Sequence, residues 1–149
     1  MRQSLVCKMH GGLRMAKKFA PDTNKRYARE VVKRLAKSYP DAWCTLDYRT
    51  PLELLIATIL AAQCTDQRVN QVTKSLFAKY RTAADYVAAP MDELKRQIQS
   101  TGFYNSKAKS IKACCRALVE HHGGEVPKQL ELLTQLPGVG SKTANVVLG

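Results

Sequence analysis

Lys142 has the clearest capacity for chemistry, because it stands in the first turn of a helical run that opens at Ser141, directly after Leu136-Pro137-Gly138-Val139-Gly140. A primary amine can attack a sugar or carbonyl carbon and form a Schiff base, from which β-elimination follows. It attacks only as the free amine, and a position beside the positive end of a helix dipole opposes the ammonium form. A solvated or phosphate-binding lysine is the plainer alternative, and the residue alone leaves both open. The other reactive types are less organised. Five cysteines (Cys7, Cys44, Cys64, Cys114, Cys115) form no CxxC pair, and His10, His121 and His122 stand at no zinc-ligand spacing from them. Free thiols in a reducing compartment are expected, and no metal site.

The elements around Lys142 read as a helix-hairpin-helix. Leu130, Leu132, Leu133 and Leu136 recur at helical spacing, Pro-Gly-Val-Gly breaks the run, and a second helix starts at Ser141. The two glycines permit positive φ and close approach of the backbone. Such a turn leaves the first N–H groups of the second helix pointing outward, where a phosphate can accept them. A hairpin of this kind grips a nucleic-acid backbone without reading bases.

Three further stretches accompany the hairpin in order: Pro51-Leu52-Glu53-Leu54-Leu55-Ile56-Ala57, Ala62-Gln63-Cys64-Thr65-Asp66 and Gly102-Phe103-Tyr104-Asn105-Ser106-Lys107-Ala108. Together, over roughly residues 23–149, they resemble the endonuclease III family of base-excision-repair DNA glycosylases. The resemblance implies an all-α helix-hairpin-helix glycosylase barrel, incomplete at the C-terminus. It implies excision of oxidised pyrimidines and β-elimination 3′ to the abasic site through a lysine Schiff base, on double-stranded DNA with a damaged base or abasic site.

Residue by residue, Lys142 matches the family's nucleophile. Gln63 resembles the residue that fills the gap left by an extruded nucleotide, the alternative being a polar helix C-terminus. Phe103 matches the position of an apolar wedge, the alternative being a core aromatic. Gly138, Val139 and Gly140 would offer backbone contacts to phosphate, and carbonyls of that turn a seat for a monovalent cation. Asn105, Ser106 and Lys107 could contact phosphate, or Asn105 or Ser106 could cap a helix. Asp66 is expected to cap a helix and support the pocket wall. The family's catalytic aspartate and its four [4Fe-4S] cysteines would fall beyond residue 149, so the chain itself supports no cofactor. Its glycosylase step is expected to be more impaired than its lyase step. A non-catalytic helix-hairpin-helix DNA-binding remnant is the alternative. The expected location is the cytoplasm or nucleoid of a bacterium, or the nucleus or mitochondrion of a eukaryote.

Composition agrees with a polyanionic partner. Lys and Arg number 24 against 12 Asp and Glu, a net charge of +12, and 45% of residues are hydrophobic, enough for one globular core. The charge is uneven: residues 1–40 hold 11 basic and 2 acidic side chains. No apolar run approaches a membrane span.

Residues 1–21 read as a basic, disordered leader without a secretory signal, and Met9 and Met15 follow Met1 closely enough to make it dispensable. Residues 22–40 read as a basic amphipathic helix with Tyr27, Val31, Val32, Leu35 and Ala36 on one face. Residues 41–149 read as a six-helix-barrel-type domain with the hairpin at about 128–149. Thr50-Pro51-Leu52-Glu53 predicts a capping box, and Leu52 to Ala62 is apolar nearly all round, so that helix is the expected centre. Further helices are predicted after Asp66, over 83–88, 91–99 and 105–122, and near 128–135. The exposed apolar face of the N-terminal helix predicts a partner or self-association.

Overall fold

The computed structural model describes residues 21–149, so the leader expected over residues 1–21 lies outside it apart from Pro21. The chain divides into two units at Trp43 and Cys44. In the first, helix α1 spans Pro21–Ser38. Proline suits a first helical position, since its missing N–H would have no partner there. Tyr39 N–H donates to the Leu35 carbonyl at 2.8 Å, and Pro40 follows where the helix must stop. Tyr27, Val32 and Leu35 are exposed on α1.

The second unit, Cys44–Gly149, contains seven α-helices and, among the described residues, no strand. Its axis is α2 (Pro51–Ala61), where Leu55, Ile56, Ala57 and Leu60 have no exposed surface. Each Leu or Ile buried there contributes about 1.5–3 kcal/mol. Thr50 caps α2, accepting from Glu53 N–H at 3.2 Å, but the box is not reciprocal as the sequence suggests. The Glu53 carboxylate takes the N–H of Arg49, at 2.6 Å, one residue before the cap.

Helix α3 (Asp66–Lys79) packs on α2 through Val69, Val72 and Leu76. Its cap is Thr65, whose hydroxyl accepts from Arg68 N–H at 3.4 Å, and not Asp66 as the sequence predicts. Asp66 occupies the first helical position and accepts the Thr45 hydroxyl. Asn70, one turn on, takes Asp47 N–H and donates to the Thr45 carbonyl, both at 2.9 Å. Asp66 and Asn70 thus hold the loop that buries Leu46.

Helices α4 (Ala83–Ala88) and α5 (Met91–Ile98) are separated by Pro90, and a 3-10 turn, Gln99–Thr101, follows α5. The long α6 (Tyr104–His122) packs on α2, α4 and α5, burying Ala108, Ile111, Cys114, Cys115 and Leu118. Gly123 ends it with φ +60°. Helices α7 (Leu130–Gln135) and α8 (Ser141–Leu148) form the hairpin, and α8 packs back on α2. No helix among the described residues is long and apolar enough to cross a membrane.

Candidate nucleic-acid interface

The hairpin is anchored by its apolar residues. Leu133, Leu136, Val139 and Ala144 are buried, while Pro137, Gly138 and Gly140 are exposed between them. Gly138 is required twice over. Its φ is +78°, and a Cβ there would stand 2.8 Å from the Cβ of Ser110 on α6. Val139 is less available than the sequence suggests: its side chain is buried, and its N–H closes the turn onto the Leu136 carbonyl at 3.1 Å. The backbone surface left for an anion is that of Gly138, Gly140 and the first turn of α8.

The start of α8 is open. Its N-cap is Gly140, which has no side chain to satisfy the first-turn donors, and no acidic residue stands in that turn. The start of α6 is open too: Phe103 makes no side-chain cap and the first turn holds no acid. Neither Asn105 nor Ser106 caps α6; both are exposed inside its first turn. By contrast, α2, α3 and α4 carry both a threonine cap and a first-turn acid, and α5 and α7 carry first-turn acids. Only α6 and α8 in this unit thus present an uncompensated positive dipole end, which favours an external anion.

Both open ends border one surface cavity of about 410 Å³. Phe103 and Ser106 reach it from α6, Gly138 and Thr143 from the hairpin, and Gln63 from beyond the end of α2. Gln63 (φ +53°) and Phe103 (φ +46°) are the only non-glycine residues with positive φ among those described. A left-handed conformation costs such a residue roughly 1–2 kcal/mol. Phe103 is nevertheless 68% exposed, which sets aside its reading as a core aromatic. The cavity is thus lined by two solvent-facing side chains on left-handed backbones, Gln63 and Phe103, together with Gly138 of the hairpin turn and Thr143 of α8.

Lys142 is exposed in the first turn of α8 and does not itself line the cavity; its neighbour Thr143 does. Asn105 is likewise outside the lining, whereas Ser106 is within it. Asp66 is also outside it, its carboxylate engaged with Thr45. Lys107 lines the cavity, but its ammonium is engaged with the protein rather than offered to a phosphate as the sequence suggests. The residue is 5% exposed, and Nζ donates to the carbonyls of Leu60 at 2.8 Å and Thr101 at 2.7 Å. Burial pushes its pKa below the usual lysine value, with Cys64 acting in the opposite direction. Thr58, Ser110 and Thr143 line the cavity without having been nominated by the sequence. Thr58 did carry a signal, as the single hydroxyl of an apolar helix.

The described cysteines do not suit an iron–sulfur cluster. Cys44 is exposed, Cys64 half-buried, Cys114 and Cys115 buried, and no three His, Cys, Asp or Glu side chains among the described residues gather as a metal site. Burial pushes the Cys114 thiol up to about 11 and Cys115 higher still, so neither is a ready thiolate.

The chain has counterparts among known proteins. Residues 56–147 match the HhH-GPD superfamily of base excision DNA repair proteins. The chain belongs to that family. An HhH-GPD relative from Synechocystis sp., endonuclease III, is 52% identical over 126 residues, which is 85% of this chain and 58% of that protein. The endonuclease III of Bacillus subtilis is 48% identical over 115 residues, covering 77% of this chain and 52% of that one. The chain thus spans a little over half the length of these relatives. The structure of a trapped endonuclease III–DNA covalent intermediate, an estranged-adenine complex, superposes with a TM-score of 0.75 and 52% identity over 83% of this chain and 58% of that one.

Proposed function

We propose that this chain is the DNA-gripping, nucleophile-bearing part of a base-excision DNA glycosylase and abasic-site lyase of the endonuclease III type. The observation that carries the reading is that Gln63 and Phe103 line the same cavity as Gly138 and Thr143 of the hairpin. Phosphates of a duplex lie against the hairpin and the open start of α8. Gln63 and Phe103 fill the stack where a nucleotide has left it, offsetting an extrusion cost of a few kcal/mol. That a similar structure is of a covalent endonuclease III–DNA intermediate supports a covalent adduct here.

In the chemistry proposed, the free amine of Lys142 attacks C1′ and the bond from C1′ to the base breaks, its electron pair and a proton leaving with the base. The nitrogen lone pair then expels O4′, which takes up a proton as the sugar ring opens, and loss of the 2′ proton from the resulting iminium expels the 3′ phosphate oxygen by β-elimination. Water hydrolyses the imine and restores the amine. No carboxylate lines the cavity, so this wall supplies no general acid for base departure. An abasic site already presents an aldehyde at C1′ and needs no base expelled, so lyase chemistry is the more accessible half on these residues.

Borohydride reduction in the presence of abasic-site duplex tests the reading. A covalent adduct is expected with the wild-type chain and not with Lys142→Ala, while both bind the duplex. Binding without any adduct from the wild type would leave a DNA-binding module and remove the enzyme reading.

A further inference from the structure

The buried ammonium of Lys107 connects two segments far apart in sequence. Its acceptors are the carbonyl of Leu60, in the last turn of α2, and that of Thr101, at the end of the 3-10 turn before α6. Carbonyls at such helix ends have no intrahelical partner, and a buried one left unpaired is destabilising. Three residues beyond Leu60 stands Gln63, and two beyond Thr101 stands Phe103, the pair with left-handed backbones at the cavity rim. Thr101 is itself fixed, 2% exposed, with its hydroxyl on the Ile98 carbonyl at 2.7 Å. The two strained turns therefore leave from carbonyls held by one nitrogen.

We propose that Lys107 is a positioning residue that fixes the spacing of Gln63 and Phe103 at the cavity, so that the two side chains enter a DNA stack as one unit. The proposal rests on the base-extrusion reading above. Lysine suits the task because its ammonium carries several N–H donors on a flexible stem, and two carbonyls at well-separated chain positions need donors from one point. A methionine fills similar volume and leaves both carbonyls unpaired. A glutamine retains an N–H₂ group on a shorter stem.

The test uses the 149-residue chain and two duplexes, one intact and one carrying a tetrahydrofuran abasic analogue opposite 2-aminopurine, whose fluorescence rises when that base unstacks. Lys107→Met is expected to bind intact duplex within twofold of wild type. It should lose tenfold or more of the preference for the abasic analogue, and with it the fluorescence rise. Gln63→Ala and Phe103→Ala should each cost less than half as much in the Lys107→Met background as in wild type, the non-additivity expected of coupled groups. Uniform weakening on both duplexes with additive Gln63 and Phe103 effects would show a residue that merely supports the fold, and would overturn the proposal. If Lys107→Met does not unfold cooperatively, Lys107→Gln is read in its place. Failure of both to fold equally overturns the positioning role. A wild-type chain without preference for the abasic analogue would remove the extrusion reading first, and the proposal with it; a wild-type preference that Lys107→Met and Lys107→Gln retain in full removes the proposal alone.

Discussion

Gln63 and Phe103 hold backbone conformations that glycine would adopt without strain, and neither is glycine. Gly138 holds a similar conformation and can be nothing else, since Ser110 fills the space a Cβ would need. Exchanges at these positions should therefore act in opposite directions. Gln63→Gly is expected to leave the melting temperature unchanged or slightly raised while lowering the preference for abasic duplex tenfold or more. Gly138→Ala is expected to destabilise the fold by about 2–4 kcal/mol, combining left-handed strain with the overlap on Ser110. Thermal melts of both variants beside duplex titrations check this, and a destabilised Gln63→Gly would show that the strain belongs to the fold and not to the site. The sequence disclosed these three residues unequally. Pro-Gly-Val-Gly announces a turn by composition, whereas nothing in Gln or Phe signals a left-handed backbone; only family resemblance pointed to them. Lys107 could have been placed without it. Positions 107, 111, 114, 115 and 118 recur at helical spacing, and the last four are Ile, Cys, Cys and Leu, so the lysine lies on the buried face of α6.

At the scale of the element, the helices were legible wherever caps and glycines punctuate them. Thr50-Pro51 marks the start of α2, Pro90 divides α4 from α5, and Gly123-Gly124 ends α6. Where a threonine precedes an aspartate the sequence points to the wrong cap, because either side chain can accept the N–H and only the geometry decides, as at Thr65 and Asp66. The reciprocal capping box was not found at α2 but occurs at α4. There Thr82 accepts from Asp85 N–H at 3.2 Å, and the Asp85 carboxylate accepts from the N–H groups of Thr82 and Arg81, both at 2.9 Å. Those backbone donors hold the Asp85 pKa below the usual carboxylate value. A carboxyl with a lowered folded-state pKa stabilises fully above its unfolded value and loses that contribution as pH falls through the folded one. Asp85→Ala is therefore expected to cost about 1 kcal/mol at neutral pH. The difference from wild type should shrink as pH drops below about 4, where the unfolded carboxyl is protonated. Denaturant melts at pH 7 and pH 3 measure it; a gap that persists undiminished at the lower pH would assign the cost to something other than the carboxylate.

The whole molecule combines a strongly basic chain with two exposed cavity-lining side chains, Gln63 and Phe103, that carry no charge. The net charge of +12 acts on any duplex, because it is set by phosphates present at every step. In the function proposed, Gln63 and Phe103 act only where a nucleotide leaves the stack, through an amide and an aromatic ring, neither of which salt screens. These two contributions to binding should separate with ionic strength. Affinity for intact duplex is expected to fall steeply and linearly in log–log form as salt rises, losing tenfold or more between about 50 and 200 mM. The ratio of abasic to intact affinity should stay within about twofold over the same range, because both duplexes release a similar number of counterions. Fluorescence anisotropy on the paired duplexes across that range measures both quantities. A ratio that collapses with salt would place the discrimination in the phosphate contacts of the hairpin and of the α6 and α8 helix ends, and would take it away from the strained pair at the cavity rim.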